Sequence, residues 1–231
     1  MSEHRTYGGQ DLERVFLTST TISARDGDIV VEKSDFRDVQ SMSDVFVRHI
    51  GRYGLALPFI RPDYRVLDFP CGSGLALEVL GALASHGAFT YEGRDIDPVA
   101  VQYATQVYAY HSWVSFSEGD LTRPALEPEA YDTIMCIEGL EHIGVDDQHH
   151  LAGEFYRALR PGGTLIISSP APASGVTGPN PENIYHLCEL TRTDFVDLLS
   201  QHFGTQVEVV SQTNIMSTGV CQLCHYAVCH K

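Results

Sequence analysis

Short apolar segments alternate with longer ones of helical period from Arg65 onward, and this alternation is the strongest constraint on the fold. Repeated β–α units predict a parallel sheet that helices cover on both faces, so we expect a doubly wound α/β fold. The seven predicted strands, the last of them antiparallel, are Arg65–Asp68, Phe89–Arg94, Val114–Glu118, Tyr131–Ile137, Gly163–Ser168, Gln206–Ser211 and Val220–Cys229. The predicted helices are Leu75–Ala84, Pro98–Tyr110, Asp147–Leu159 and Thr193–His202.

Residues 1–60, which precede this alternation, are predicted to form an N-terminal arm followed by a helix. Residues 1–34 are mostly polar and their role stays open, with a lid over the site as one option. From Asp35 toward Phe59 the apolar residues recur at helical spacing, until Arg61-Pro62-Asp63 interrupts the pattern. We expect residues 61–231 to form a single domain, because a chain of 231 residues with 43% hydrophobic residues can supply one sizeable core.

Charge, cysteine content and the lack of long apolar stretches limit the binding partners and the cellular compartment that we expect for this chain. The formal net charge of −15 disfavours binding to nucleic acid, which depends mainly on Lys and Arg. No apolar stretch has the length of a membrane span, and the first ten residues lack the apolar segment of a secretion signal. We therefore predict a soluble cytoplasmic protein, with a homodimer as one option. The cysteines between Cys221 and Cys229 could hold zinc, but the alternating pattern there favours a last β-strand.

The turn after the first predicted strand has the composition of a ligand-binding loop. It reads Asp68-Phe-Pro-Cys-Gly72-Ser-Gly74, and a parallel sheet binds ligands outside the carboxyl ends of its strands. Glycines let a ligand lie against the backbone, and the next helix offers unpaired N–H groups. Asp95 ends the second strand, where a carboxylate can bind both hydroxyls of a ribose. A nicotinamide cofactor fits these signals too, but its third glycine is replaced by Leu77, which favours a cofactor without phosphates.

Four motifs in this order resemble the class I S-adenosylmethionine-dependent methyltransferases, over residues 61–212. Val66–Gly74 resembles the first motif of that family, and Asp95 resembles its ribose-binding acid. Gly119-Asp120-Leu121 resembles the turn that contacts adenine, and Leu159-Arg-Pro-Gly-Gly163 resembles the post-motif. The resemblance implies a Rossmann-like fold, S-adenosylmethionine as cofactor and S-adenosylhomocysteine as product. It assigns the cofactor contacts to Asp68, Gly72, Gly74, Asp95, Ile96, Asp120, Leu121 and Glu138.

The loop also departs from the family, because Pro70 stands where the family usually has its first glycine. Proline fixes φ near −65° and removes an N–H group, so the loop must tolerate both. The acids have ordinary alternatives as well: Asp95 could cap the following helix and Asp120 could form a turn. Turn chemistry alone does not require acids at three successive strand ends, which favours the binding interpretation.

Two later segments, Glu138-Gly-Leu-Glu141-His142 and the region of His186, predict the acceptor side of the site. Together they resemble the metal-dependent methyltransferases that act on the 3′-terminal ribose of small RNAs; the first segment also resembles the ubiquinone-pathway O-methyltransferases. The resemblance implies a divalent ion, magnesium or another, bound by Glu138, Glu141, His142 and His186. A cation that binds two neighbouring hydroxyls lowers their pKa and orients one oxygen; alternatively, His142 or His186 could act as a general base.

With Glu138, these two histidines form the predicted catalytic set. The alternatives are that Glu138 contacts only the cofactor, that Glu141 and His142 merely form a turn, and that His186 binds substrate.

The expected function is O-methylation of a hydroxylated small molecule, a saccharide or a natural product. A looser resemblance to bacterial stand-alone enzymes of this kind rests on Arg52-Tyr53, Ser168-Ser-Pro170 and Gln201-His-Phe203. The acidic charge favours such a substrate over RNA. Two alternatives stay open: methylation of a nitrogen or of a ribose in RNA, and a non-catalytic cofactor-binding module. Intact Glu138, Glu141 and His142 argue against the module, while a fold alone does not name a substrate.

Overall fold

The structure is a computed structural model that describes residues 5–7, 10–12, 20–25, 28–33, 49, 51–84, 89–215 and 221–231. Two antiparallel hairpins lie in the N-terminal region, and neither was predicted from the sequence. They pair β1 (Arg5–Tyr7) with β2 (Gln10–Leu12) and β3 (Thr20–Arg25) with β4 (Asp28–Lys33). Most of the helix predicted from Asp35 lies outside the described residues; residues 51–54 are helical, and a 3-10 turn spans Leu57–Phe59.

A seven-stranded sheet forms the centre of the described part, in the order β10-β11-β9-β8-β5-β6-β7. Strands β5 to β9 pair in parallel, and β11 runs antiparallel to both of its neighbours. This arrangement confirms the predicted α/β sheet with its antiparallel last strand. The bounds are β5 Arg65–Asp68, β6 Thr90–Asp95, β7 Val114–Glu118, β8 Tyr131–Ile137, β9 Leu159–Pro170, β10 Val207–Ile215 and β11 Cys221–His230.

Helices cover both faces of the sheet. Successive side chains of a buried strand point to opposite faces, so each strand contributes to the apolar cluster on either side. In β5, Val66 packs in the apolar cluster that holds Leu80, whereas Leu67 packs in the cluster that holds Leu151. Tyr53, which precedes the sheet, packs in the same cluster as Val66 and Leu80. The boundary between the N-terminal region and the domain, placed between residues 60 and 61, stays a prediction. The helices are α1 Ala76–Ala84, α2 Pro98–Val107, α3 Val145–Ala158 and α4 Arg192–Phe203, close to their predicted bounds.

The strand order locates a ligand crevice. The chain proceeds from β5 outward to β6 and β7, and β8 then returns to the other side of β5, so the order reverses beside β5. Ligands bind at such a reversal, outside the carboxyl ends of the strands. Asp68, Asp95 and Glu138 end or directly follow three of these strands. Among the described helices, none is both long and apolar enough to cross a bilayer.

Candidate active site

Two hydrogen bonds donated by its backbone hold the loop after β5 against the end of β6. The Gly72 N–H donates to Asp95 Oδ2 at 2.7 Å, and the Cys71 N–H donates to the Arg94 carbonyl at 2.8 Å. Gly72 has φ +52°, and a Cβ built there would meet no atom within 4 Å, so its backbone faces open space. Gly74 has φ +82°, and a Cβ there would lie 2.8 Å from Cε2 of Tyr108. One glycine therefore leaves room for a ligand, and the other is required by packing.

Asp95 and Ile96 present a polar and an apolar side chain next to each other at the end of β6. Asp95 is buried, and its Oδ1 accepts the Asp97 N–H at 2.9 Å. The N-cap of α2 is Asp97, which accepts the Val99 N–H at 3.0 Å, so the capping alternative for Asp95 is wrong. Ile96 is 48% exposed, which makes it available to an aromatic ring such as adenine.

Asp68 lies behind the glycine loop rather than at its surface. It is fully buried, and its Oδ2 accepts the Tyr91 hydroxyl at 2.6 Å. Burial raises the pKa of Asp68 to about 8, with the Tyr91 hydrogen bond acting in the opposite direction. The geometry gives Asp68 a part in supporting the loop, and its predicted contact with the cofactor stays a prediction.

Asp120 forms the turn after β7, as its alternative interpretation states. Its Oδ1 accepts both the N–H and the hydroxyl of Thr122, at 2.9 and 2.7 Å, and its Oδ2 lies 3.3 Å from Nη2 of Arg123. Burial raises the pKa of Asp120, but the Thr122 hydrogen bonds outweigh it and leave that pKa below its ordinary value. Leu121 is buried beside it. A turn-forming role does not exclude the predicted contact of this turn with the cofactor.

Glu138 follows β8 with φ +52°, a left-handed conformation that is uncommon for a residue other than glycine. Both of its carboxylate oxygens are engaged: Oε1 accepts the Ser168 hydroxyl at 2.8 Å, and Oε2 lies 3.0 Å from Nη2 of Arg52. Arg52 is 2% exposed and also donates to Cys224 Sγ at 3.2 Å and to the Tyr226 hydroxyl at 3.4 Å. The N-terminal region thus contributes a buried cation to this end of the sheet.

Glu141, His142 and His186 converge, with one potential ligand atom from each lying within 4.8 Å of the others. The His142 and His186 rings are 5.2 Å apart between centroids and nearly perpendicular. His142 Nδ1 lies 3.0 Å from the Tyr185 carbonyl, and His186 Nδ1 lies 2.6 Å from Glu189 Oε1. Such contacts at one ring nitrogen orient the other toward a ligand. The structure therefore brings three of the four predicted metal ligands together and places Glu138 against Arg52.

Glu141 is a buried carboxylate whose negative charge a bound cation would stabilise. It is 1% exposed, and among the described residues its Oε2 has no hydrogen-bond partner. Burial and then the nearby Glu138 carboxylate raise the pKa of Glu141 well above its ordinary range, against the opposite effect of His186. One carboxylate beside two imidazoles is a donor set that divalent transition metals accept. The residues present therefore fit a divalent ion.

Gln148 joins the two segments that carry these residues, and sequence reasoning missed it. Its Nε2 lies 2.9 Å from the carbonyl of Leu140, 3.2 Å from that of Ile143 and 2.8 Å from that of Cys188. The 3-10 turn Leu140–His142 is thereby tied to the segment that follows His186. A signal was present, since Gln148 shares the helical spacing of buried Leu151, Ala152 and Phe155.

Arg52 and Glu189 were also missed as site residues. Glu189 accepts Nδ2 of Asn180 at 2.8 Å in addition to its contact with His186. Arg52 had a sequence signal only in the looser resemblance that rests on Arg52-Tyr53, and Glu189 had none, because each residue acts through a partner that only the folded chain brings near.

Residues 66–163 match the family model described as a methyltransferase domain. The family match, the named relatives and the structural neighbours together support a class I S-adenosylmethionine-dependent methyltransferase domain in this part of the chain. This methyltransferase domain is similar to a ubiquinone biosynthesis O-methyltransferase of Pseudomonas savastanoi pv. phaseolicola, with 32% identity over 141 residues, 59% of this chain and 55% of the relative. The chain thus spans about half the length of the curated relatives it matches.

Solved structures share the fold of the methyltransferase domain at low sequence identity. A Methanosarcina mazei S-adenosylmethionine-dependent methyltransferase superposes with a TM-score of 0.61 at 16% identity, over 77% of this chain and 96% of that one. The [4+2]-cyclase SpnF superposes with a TM-score of 0.60 at 15% identity, over 86% of this chain and 85% of that one. The second neighbour is named for a cyclisation, so the fold by itself does not define the reaction.

Proposed function

We propose that this chain transfers a methyl group from S-adenosylmethionine to a hydroxyl of a small hydroxylated molecule, such as a saccharide or a natural product, with a divalent ion held by Glu141, His142 and His186. The observation that carries the proposal is the convergence of these three side chains next to the carboxyl end of β8, at the edge that carries the glycine loop. The O-methyltransferase name of the Pseudomonas savastanoi relative supports oxygen as the acceptor atom.

The donor side of the site would bind S-adenosylmethionine, which supplies the methyl group on its sulfonium. The open space at Gly72 suits close approach of the ligand, and Asp95 is suited to the ribose hydroxyls. The Asp95 carboxylate ends β6 beside the open Gly72 backbone, where its oxygens can accept the ribose hydroxyls. Exposed Ile96 would lie against the adenine, and the turn at Asp120 and Leu121 would border it.

The acceptor side orients a hydroxyl and removes its proton. A divalent ion, when bound, lowers the pKa of coordinated hydroxyls. The Tyr185 carbonyl can only accept a hydrogen bond, so a neutral His142 carries its proton on Nδ1 and has its basic lone pair on Nε2, 4.0 Å from Glu141 Oε1. Nε2 of His142 would therefore bind the ion, and the hydroxyl proton would pass to solvent as the oxygen–methyl bond forms and the sulfur–methyl bond breaks, which leaves S-adenosylhomocysteine. Without an ion, the same Nε2 would act as the general base and take that proton.

Incubation with isotopically labelled S-adenosylmethionine tests this proposal. The acceptors are catechols, glycosides and single-stranded RNA, each with manganese, with magnesium or with a chelator. We expect label on a vicinal diol, lost with the chelator and in His142→Ala, and retained in the control His150→Ala, whose ring is exposed on α3.

Each other outcome favours a different interpretation. Label on RNA alone supports the RNA methyltransferase interpretation. Methyl transfer that persists both with chelator and in His142→Ala would exclude a role for the divalent ion and for His142 as general base. Binding of S-adenosylhomocysteine without transfer to any acceptor supports the non-catalytic module. The cytoplasmic location and the homodimer stay predictions from the sequence.

A further inference from the structure

We propose that Arg52 is a positioning residue that holds Glu138 out of the metal-ligand set, so that the cation site of this chain has three protein ligands instead of four. The inference rests on the proposed function, because it concerns the same acceptor site. It assigns a role to a segment before the sheet that the cofactor motifs do not include.

The first step of the argument is the engagement of Glu138. Its Oε2 pairs with Arg52 Nη2 at 3.0 Å, and its Oε1 accepts the Ser168 hydroxyl at 2.8 Å. Its backbone N–H also points to Ser168, 3.2 Å from the carbonyl and 3.2 Å from the hydroxyl oxygen. Glu138 is therefore fixed at both ends and lies outside the group of three converging ligand atoms.

The second step is that Arg52 is anchored independently of Glu138. Its guanidinium also donates to Cys224 Sγ and to the Tyr226 hydroxyl, both on β11. Movement of Glu138 toward a cation would leave this guanidinium buried without its carboxylate, and an unpaired buried charge is strongly unfavourable. Arg52 therefore opposes recruitment of Glu138 as a fourth ligand.

The third step concerns what the smaller set leaves for the substrate. Catalytic metal sites keep coordination positions open, commonly with two histidines and one carboxylate from the protein. Glu141, His142 and His186 form such a set, and the neutralised Glu138 adds no second negative charge at the ion. The geometry thus suits an acceptor that brings two oxygens of its own, such as a vicinal diol or a catechol.

Manganese titration of the full chain tests whether Arg52 keeps Glu138 out of the metal-ligand set, with S-adenosylhomocysteine binding as an independent readout. We expect Glu138→Gln to bind manganese within about threefold of wild type, and Glu141→Gln to lose at least about tenfold, the equivalent of 1.4 kcal/mol. Arg52→Met should bind manganese about tenfold more tightly, because it releases Glu138 to the ion. The gain should vanish in Arg52→Met/Glu138→Gln and be absent in Arg52→Lys, which keeps the pair.

The matched control is Glu182→Gln, which removes an exposed carboxylate from the segment before His186 and should change nothing. Equal losses in Glu138→Gln and Glu141→Gln would make Glu138 a ligand and overturn the inference, as would an Arg52→Met variant that binds manganese no better than wild type. If Arg52→Met does not fold, the comparison of Glu138→Gln with Glu141→Gln decides.

Failure of the proposed metal site is distinguishable from failure of the inference. Wild type that binds S-adenosylhomocysteine but no manganese removes the metal from the proposed function. Manganese binding gained in Arg52→Met alone would still support the role of Arg52, whereas no binding in any variant would overturn both.

Discussion

Gly139 joins the two halves of the site, and Gly139→Ala tests how closely they pack. A Cβ at position 139 would lie 2.3 Å from Cδ and 2.7 Å from Cγ of Pro70, a rigid ring in the cofactor loop. Gly139 has φ −127°, so the cost of alanine arises from this contact rather than from a left-handed backbone. Normal carbon contacts are about 3.5–4.0 Å, so either the Pro70 loop or the turn Leu140–His142 must move by roughly 1 Å.

Overpacking of this kind costs about 1–3 kcal/mol. For a chain of this size that lowers Tm by about 2–12 °C. Affinity for S-adenosylhomocysteine should fall too, because the displaced loop carries Gly72 and Gly74. Thermal unfolding and calorimetric titration measure the two effects. The control Gly81→Ala lies in α1, where the added Cβ meets no atom within 4 Å, and it should raise stability by up to about 1 kcal/mol. A Gly139→Ala variant with wild-type Tm and affinity would refute the packing argument.

Three further substitutions extend the test. Gln148→Leu deprives three carbonyls of their donor and should lower the free energy of unfolding by about 2–4 kcal/mol in urea titration; an unchanged midpoint would exclude its bridging role. Asp68 has a pKa of about 8 in the fold against about 3.9 unfolded, so wild-type stability should fall as pH rises from about 4 to about 8. Because buried Glu141 also has a raised pKa, Asp68→Asn should reduce that slope rather than abolish it, and parallel stability curves would contradict the buried neutral Asp68 carboxyl. Gly74→Ala, with φ +82° and Tyr108 at 2.8 Å from the new Cβ, should cost about 1–3 kcal/mol and weaken S-adenosylhomocysteine binding; wild-type values for both would count against the loop geometry.

Sequence periodicity predicted the sheet well because its strands are short, apolar and separated by turns. The N-terminal hairpins were missed, since strands such as Arg5–Tyr7 are too brief to show a period. The cofactor loop was predictable because glycines and an acid at strand ends have few other uses together. Convergence of Glu141, His142 and His186 was expected only through family resemblance, and the structure supplies it.

The position of Glu138 could not be read from spacing. Its partner Arg52 precedes the whole sheet, and their contact depends on how the N-terminal segment packs against β11. Pairing of distant charges leaves no local periodicity, so the sequence offered Glu138 as a metal ligand, whereas the folded chain pairs it with an arginine.

The most direct test of the central claim is calorimetric titration of S-adenosylhomocysteine into the wild-type chain and into Asp95→Ala. The matched control is Glu118→Ala, an exposed carboxylate paired in register with Asp95 at the end of β7. We predict micromolar binding to wild type and to Glu118→Ala, and its loss in a folded Asp95→Ala. Absence of binding to wild type, or equal affinity in Asp95→Ala, would contradict the assignment of this crevice as the S-adenosylmethionine site.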